Sequence, residues 1–572
     1  MSNCPTRKLA SRCLTHAVLI LAISCGAGDG GRERPTAPPT PLAGDAWFED
    51  RSEAAGLTFS HRSGFDERYL MPEVAAGGGG LFDMDGDGDL DAYLVQSGSL
   101  VDATRRSPGN QLFKNLGDGT FENVTPGSGA EDTGYGMGVA CGDYDNDGDV
   151  DLYVTNYGPN RLLTNDGTGR FEDRTEAAQV AANDWSSSAG FLDYDRDGDL
   201  DLFVVNYIRW SPEMELDCYN QLGSLDYCSP KNYDAPAVDR LYRNDGAGQF
   251  TDVTRPAGLY QAFGNGLGFA FGDYNADGWL DIFVANDGLG DQLWVNQQDG
   301  TFRDEALIRG CAVDLEGGIP KAGMGVTTGD IDNDGDLDLM VCNLVDETDS
   351  VYLNEGDFFS DVTAQAGLGT VSRHYTRFGM GWVDFNNDGQ YDLYQANGRV
   401  MRAADSHGED PYAEPNVLFA GTVDRRFKEQ LPRGGTASEL VAASRGAAFG
   451  DIDNDGGVDI LVINRDAPAH LLLNRVATAS GANWLTFRAL ETSGRDAEGA
   501  QVLLDAAGES MRRDVRSGYS YLSCNDPRAH FGLAQSGKVT NVRVVWADGV
   551  EEAFGEFEAN QQVELRRGAG AR

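Results

Sequence analysis

Short apolar runs recur between residues 46 and 477, and each is bounded by Asp-Gly or Gly-rich turns. Four kinds follow one another in a fixed order. A Gly-rich run comes first, as in "GMGVACGDY" (136–144), "GLGFAFGDY" (266–274), "GMGVTTGDI" (323–331) and "RGAAFGDI" (445–452). An uninterrupted apolar run follows: "DLYVTN", "DLFVVN", "DIFVAN", "DILVIN". The third reads "RLLTND", "RLYRND" or "QLWVNQ", and the fourth follows "GDGTF"-type turns as "FENVT" (121–125), "FEDRT" (171–175) or "FSDVT" (359–363). β-Branched and aromatic runs separated by Asp-Gly turns predict hairpins. The second run is apolar at successive positions rather than alternating, as expected of a sheet covered on both faces.

Four strands per unit and seven units over 46–477 predict an all-β, seven-bladed β-propeller. The seventh unit, 445–475, supplies three strands only, and the missing fourth type is found as "FEDRS" at 48–52. That segment is predicted to complete the last blade and close the ring. Past residue 480 the period stops, and alternating runs ("NWLTFRAL", "EGAQVLL", "ESMRRDVRSGYSYLS", "RAHFGL", "VTNVRVVWADGVEEAF", "QQVELR") predict a small C-terminal β domain over 483–567.

The turn between the first and second strand of each unit carries the candidate chemistry. Its pattern, D-x-[DN]-x-D-G-x-x-D, occurs seven times at intervals of 50–80 residues. The side-chain oxygens at positions one, three, five and nine come from Asp83, Asp85, Asp87 and Asp91; Asp143, Asp145, Asp147 and Asp151; Asp193, Asp195, Asp197 and Asp201; and Asp273, Asn275, Asp277 and Asp281. The remaining loops supply Asp330, Asp332, Asp334 and Asp338; Asp384, Asn386, Asp388 and Asp392; and Asp451, Asp453, Asp455 and Asp459. Calcium takes six to eight hard oxygen ligands at flexible angles, and an EF-hand loop uses the same odd spacing with glycine at position six. These loops end at nine and lead into a strand, so they predict calcium-binding hairpins, up to seven ions in all. Loops four and six keep fewer acids and are expected to bind more weakly.

The loops hold 30 acids and one arginine, which accounts for −29 of the net charge of −46. The acidic balance is therefore mostly ligand. No basic patch accompanies it, and the field repels phosphate, so nucleic acid is excluded as a partner.

These units resemble the FG-GAP/VCBS repeats of the integrin α propeller and of bacterial secreted proteins. That resemblance implies metal loops gathered on one face of the disc and ligand-binding loops on the other, where the longest connection is 206–240. The C-terminal tract resembles the ASPIC/UnbV domain of the cartilage acidic protein family. It does so through Asn483-Trp484-Leu485, Gly499-Ala500, Ser517-Gly518-Tyr519, Asp526-Pro527-Arg528, His530-Phe531-Gly532-Leu533 and Val545-Trp546 with Gly549. The family resemblance supplies no biochemical activity.

Residues 1–25 read as an export signal: Arg7, Lys8 and Arg12, then an apolar core at 14–24 too short to span a bilayer, then Cys25. Ala22-Ile23-Ser24-Cys25 resembles a lipobox, so Cys25 is the expected lipidation site, with conventional cleavage as the alternative. Residues 26–45 read as a flexible tether. The expected location is the outer membrane or cell surface, otherwise the periplasm or medium, with membrane contact only through the lipid. In that oxidising setting Cys218 and Cys228 are expected to pair, whereas Cys141, Cys311, Cys342 and Cys524 have no partner by spacing.

The six histidines are scattered along the chain with no paired metal-ligand spacing. No H-E-x-x-H, G-x-S-x-G or phosphate loop occurs. Asp217 with Asp226 reads as a catalytic pair or as solvated loop charge. His374, Tyr375 and Arg377 either face a central funnel or pack, and His530 reads as structural. The expected function is a non-catalytic, monomeric binding or adhesion module for extracellular protein or glycan. An exported enzyme acting on polysaccharide or a secondary metabolite is the alternative. The aromatic insertion 206–234 is the expected contact surface, set against a loop that merely covers its own blade.

Overall fold

A computed structural model of the chain describes residues 45–246, 248–313 and 317–572. The export signal, Cys25 and nearly all of the tether lie outside the described residues. Seven four-stranded antiparallel units stand in a ring, six of them built inner strand to outer strand in chain order and the seventh taking its outer strand from the N-terminal segment. Blade one, for example, runs Gly79–Phe82, Asp91–Leu94, Gln111–Asn115, Phe121–Asn123, and blade two runs Tyr135–Gly142, Asp151–Tyr157, Arg161–Asn165, Phe171–Asp173. The inner strands neighbour one another in cyclic order, with the seventh beside the first. Every residue of Asp201–Asn206, Asp281–Asn286 and Asp459–Asn464 is buried, as a second strand between two blades must be.

Closure comes from the N-terminal segment. Phe48–Asp50 pairs antiparallel with His470–Asn474, placing Phe48 opposite Asn474. The Phe48 ring meets Phe385 of blade six edge-on at 5.1 Å, so the closing strand also ties the last two blades together. No blade is left without its fourth strand.

The C-terminal domain consists of two sheets sharing one core. Asn483–Leu490 lies between Ala529–Ala534 and Gln561–Arg566, and a second sheet orders Glu509–Asp514, Gln501–Ala506, Lys538–Val545 and Glu551–Glu558. Leu485, Phe487, Val502, Val544 and Trp546 meet in that core. Two tracts read as single runs are divided. Residues 539–554 form a hairpin, because Gly549 takes a positive φ and its N–H bonds to Trp546 O at 2.7 Å. Residues 509–523 leave the sheet after Asp514 and enter the axis of the ring.

That axial segment bonds to the inner strands of six blades. Ser523–Cys524 pairs in parallel with Gly79–Gly80, Ser517 Oγ donates to Cys141 O, and the Leu522 N–H reaches Ser188 Oγ. Ser520 exchanges backbone bonds with Val326, donates its hydroxyl to Ala447 O and accepts the Met380 N–H. The glycines of the first strands are thus explained: a Cβ at Gly138 would stand 2.9 Å from Leu522 O and 3.0 Å from its Cα. Backbone meets backbone there, and no side chain fits between. Gly138→Ala is expected to lose about 1–3 kcal/mol of stability by overpacking. Gly537→Ala, with nothing within 4 Å of the added methyl, leaves the denaturation midpoint unchanged; equal midpoints for the two variants would contradict the packing described.

Candidate metal centres

Each nine-residue loop is shaped by its own carboxylates. Position one accepts the backbone N–H groups of positions five and six: Asp83 from Asp87 and Gly88, Asp330 from Asp334 and Gly335, Asp451 from Asp455 and Gly456. Position five caps position seven, as Asp147 does for the Asp149 N–H at 3.0 Å. The tight curl needs positive φ at positions four and six, shown by Asn146 (60°) and Gly148 (99°). Asparagine tolerates that region and glycine is unhindered in it.

Position nine is stapled inward. Asp151 accepts the N–H of Tyr144 through one oxygen and of Asn165 through the other, at 3.2 and 2.8 Å. The same pair of bonds recurs at Asp91, Asp201, Asp281, Asp338 and Asp459. In loop six Asp392 accepts from Phe385 and Gly421 instead.

Position three is left over. In the five loops with aspartate there, one oxygen of Asp85, Asp145, Asp195, Asp332 and Asp453 is buried without a hydrogen-bond partner. Oxygens of positions one, three and nine lie within 4.8 Å of one another in loops one, two, five and seven, and of positions one, three and five in loop three. Loops four and six differ. Asn275 and Asn386 each accept the N–H of position five at 3.0 and 2.9 Å. A buried carboxylate oxygen facing two or three others is costly unless a cation joins them.

Burial pushes these acids up. It raises Asp143 and Asp451 to about 7, Asp91 and Asp338 to about 8 and Asp151 to about 9, and it holds Asp201, Asp281, Asp392 and Asp459 well above the usual carboxylate range. The donors are all hard oxygens, which suits calcium better than a softer metal. Asp85 and Asp87 also face the Lys114 ammonium, Asp332 faces Arg425 and Asp453 faces Arg475.

A set of asparagines that the loop pattern does not include links each centre to the next around the ring, except between loops five and six. Asn165 Nδ2 donates to Val150 O in its own loop and to Met84 O in the preceding one, at 3.1 and 2.8 Å. Asn115, Asn244, Asn296, Asn354 and Asn474 do likewise. Their signal was the asparagine that ends nearly every third strand; Gly421 replaces it in blade six.

The C-terminal domain sits on the loop face. Arg495 donates to Asn146 Oδ1 and Gly198 O, Arg512 to Gly335 O, and Arg528 to Asp451 O. His530 lies 2.7 Å from Asn387 Oδ1 and 3.0 Å from Thr486 Oγ1, and burial pushes it down to about 3. Its role is that of a neutral bridge to loop six.

The long insertion lies at the opposite ends of the strands. Cys218 and Cys228 form a disulfide beside the two-stranded pair Cys218–Tyr219 and Leu225–Asp226. Asp217 and Asp226 do not form a joint site: Asp226 is buried and takes Arg402, the Tyr412 hydroxyl and Asn220. Of the insertion's aromatic residues, Tyr207, Trp210 and Tyr227 are buried against the propeller, while Tyr219 is 63% exposed. Met214, Leu216 and Leu222 are exposed beside it in sequence. Arg377, set beside His374 and Tyr375, is buried in an ion pair with Asp349 at 2.7 Å and does not face a funnel. Cys141, Cys311, Cys342 and Cys524 are buried thiols.

Comparison with known families matches the FG-GAP-like repeat to residues 83–154, 143–204, 219–284, 273–341 and 330–394, and ASPIC and UnbV to 490–572. Cartilage acidic protein 1 of Mus musculus is 25% identical over 371 residues, covering 55% of this chain and 56% of that protein. The Xenopus tropicalis protein is 27% identical over 318 residues, covering 52% and 44%. The chain thus spans about half the length of these relatives. A solved rhamnogalacturonan lyase of Bacillus licheniformis aligns at a TM-score of 0.39 and 13% identity over 75% of this chain and 76% of that one, too distant to bear an argument.

The raised carboxylates give the metal-free protein an unusual pH response. A folded-state value above the unfolded one, near 4, means that the folded state holds the extra protons. That stability is fully present below about pH 4 and is lost as pH rises toward the folded values of 7 to 9. Chelated protein is therefore expected to melt higher at pH 5 than at pH 8, and protein in excess calcium the reverse. Parallel trends in the two series would refute the assignment.

Proposed function

The chain belongs to the FG-GAP-like repeat proteins that carry a C-terminal ASPIC and UnbV domain, homologous to cartilage acidic protein 1, and on that premise we propose an exported, calcium-stabilised binding protein. The observation that carries the calcium reading is the orphaned oxygen at position three in five separate loops. Five independent sites with the same unmet acceptor are not explained by solvated turns. The ions are structural: they neutralise the face on which the C-terminal domain rests, rather than presenting a coordination site to substrate.

Binding is assigned to the opposite face. The loop face is covered by the C-terminal domain and the axis is filled by residues 517–525, so the insertion at 206–234 is the surface left to a partner. Met214, Leu216, Tyr219 and Leu222 expose apolar area there, braced by the disulfide and by the Asp226–Arg402 contact. A protein or glycan with an apolar face suits it, consistent with the enrichment of tyrosine at binding hot spots. The protein acts as a monomer at the cell surface, held there by lipid on Cys25 or released from it.

Extracellular calcium modules bind near 10⁻⁴–10⁻³ M. With calcium at about ten times Kd, each site adds about 1.4 kcal/mol and seven add about 10 kcal/mol. Chelation is expected to lower the melting temperature by on the order of 10 °C; a midpoint indifferent to chelator sinks the calcium reading. Glycan and protein arrays probed with the intact chain, and with a Tyr219→Ala, Leu222→Ser double variant of unchanged melting temperature, test the surface. At least a tenfold loss of any captured ligand is expected, which is about 1.4 kcal/mol; undiminished capture relocates the site.

A further inference from the structure

Cys524 is the only cysteine of the C-terminal domain, and the axial segment carries it into the ring. There Ser523–Cys524 pairs in parallel with Gly79–Gly80, which sets Cys524 opposite Gly80, and on its other side Cys524 bridges Gly518 of the same segment. Strand Tyr135–Gly142 of blade two runs alongside. Its Cys141 enters the same apolar cluster as Cys524, with Phe82, Tyr93, Val139 and Leu152.

The two side chains converge on one point. A Cβ built on Gly80 would stand 3.0 Å from Cys524 Cβ and 3.3 Å from Cys141 Sγ, so glycine at 80 is what leaves room between them. The Cys141 thiol faces the Cys524 thiol, and Cys524 otherwise has only the adjoining Asn525 O, at 3.8 Å. The other two thiols are placed differently. Cys342 donates to Arg377 O and Phe378 O at 3.3 and 3.1 Å, and Cys311 reaches Ala306 O at 3.8 Å. Each of these lies in a core cluster that holds no second thiol. Only at Gly80 do sulfurs from distant parts of the chain meet.

We propose that Cys141 and Cys524 join as a second disulfide, a covalent staple between blade two and the axial segment of the C-terminal domain. In the cell the bond rests on the oxidising setting of the export reading. It forms by exchange with a small or protein disulfide of that compartment. One cysteine thiolate attacks the incoming disulfide, which gives a mixed disulfide and releases one thiol. The second cysteine then displaces the remaining half. The pair loses two protons and two electrons, and the incoming disulfide is reduced to two thiols. Exchange takes place while residues 517–525 enter the axis, since both cysteines are buried afterwards. The loop closed from 141 to 524 is long, so the bond restricts the unfolded chain strongly.

The test uses the full chain, unfolded in reductant and refolded in excess calcium with a reduced and oxidised glutathione couple, then alkylated and cut with trypsin. Fragment 115–161, which holds Cys141, is expected joined to fragment 517–528, which holds Cys524, with Cys311 and Cys342 alkylated. A Cys218–Cys228 bond formed while 115–161 and 517–528 stay separate overturns the proposal. Refolding supplies its own oxidant and does not depend on export. If chain taken from cells has both pairs reduced while refolded chain has both joined, the export reading falls and the staple stands. Chain refolded with the couple is expected to melt on the order of 5 °C above chain refolded in reductant. Cys524→Ala removes most of that difference and leaves the share of Cys218–Cys228; Cys141→Ala serves if the first variant fails to fold. A difference undiminished in the folded variant overturns the staple.

Discussion

Carboxylates packed where water is scarce are the constraint that organises this molecule. Seven loops bring acids together at one end of seven blades, and burial pushes many of them far above the ordinary carboxylate range. Charge that cannot be solvated must be met by backbone N–H groups, side-chain cations or bound metal. All three answers are drafted here. Positions one, five and nine use backbone donors, which fixes the curl of each loop. Lys114, Arg425 and Arg475 offer cations at three loops. At position three one oxygen of each of the five aspartates faces inward with no donor, the place a bound cation would fill. The asparagine relay from six of the seven third strands to the preceding loop couples those sites, so a distortion of one loop is passed to its neighbour.

The same constraint accounts for the place of the C-terminal domain. Arg488, Arg495, Arg512 and Arg528 point from it onto the acidic face, and three of them bond directly to loop carbonyl oxygens. Residues 517–525 then run into the axis, where the glycine-lined inner strands admit a backbone but not side chains. The two domains are consequently one folding problem. Without the axial segment the inner strands would face an open channel with polar backbone unmatched. Without the ring, residues 517–525 would have no partners. The closing strand at Phe48–Asp50 adds a third dependence, since the ring needs the beginning of the chain to finish its last blade.

Much of this was legible in the sequence, because repetition converts weak local signals into a strong one. A single acidic turn is ambiguous, but seven of them with an invariant glycine fix the hairpin, the strand order and the places where acidic oxygens converge. The missing fourth strand of blade seven was found by the same arithmetic. What the pattern could not carry was contact between non-repeating parts. The tract 509–523 alternates like a strand, yet it leaves the sheet after Asp514, since the hydrogen bonds it makes belong to another domain. The insertion reads as an aromatic binding loop, but burial of Tyr207, Trp210 and Tyr227 leaves Tyr219 as its one strongly exposed ring. Likewise the third-strand asparagines were visible as letters, but their reach into the preceding blade depends on how the blades stack.

These arrangements decide which surface is left for function. In the related fold the two ends of a propeller are equivalent only until something covers one of them. Here the acidic end is occupied by a domain whose arginines match it, and the axis between the ends is filled. The surfaces left open are thereby the rim and the end bearing the insertion. At that end blade three and blade six, which are not neighbours in the ring, are joined by Asp226 to Arg402 and Tyr412. The contact carries the hairpin across the mouth of the axis and holds it there with a buried charge, so its exposed side chains are presented on a fixed support. A loop held in this way loses less conformational freedom on binding than a free one. The structural role of the acidic face and the binding role proposed for the opposite face thus follow from one distribution of charge.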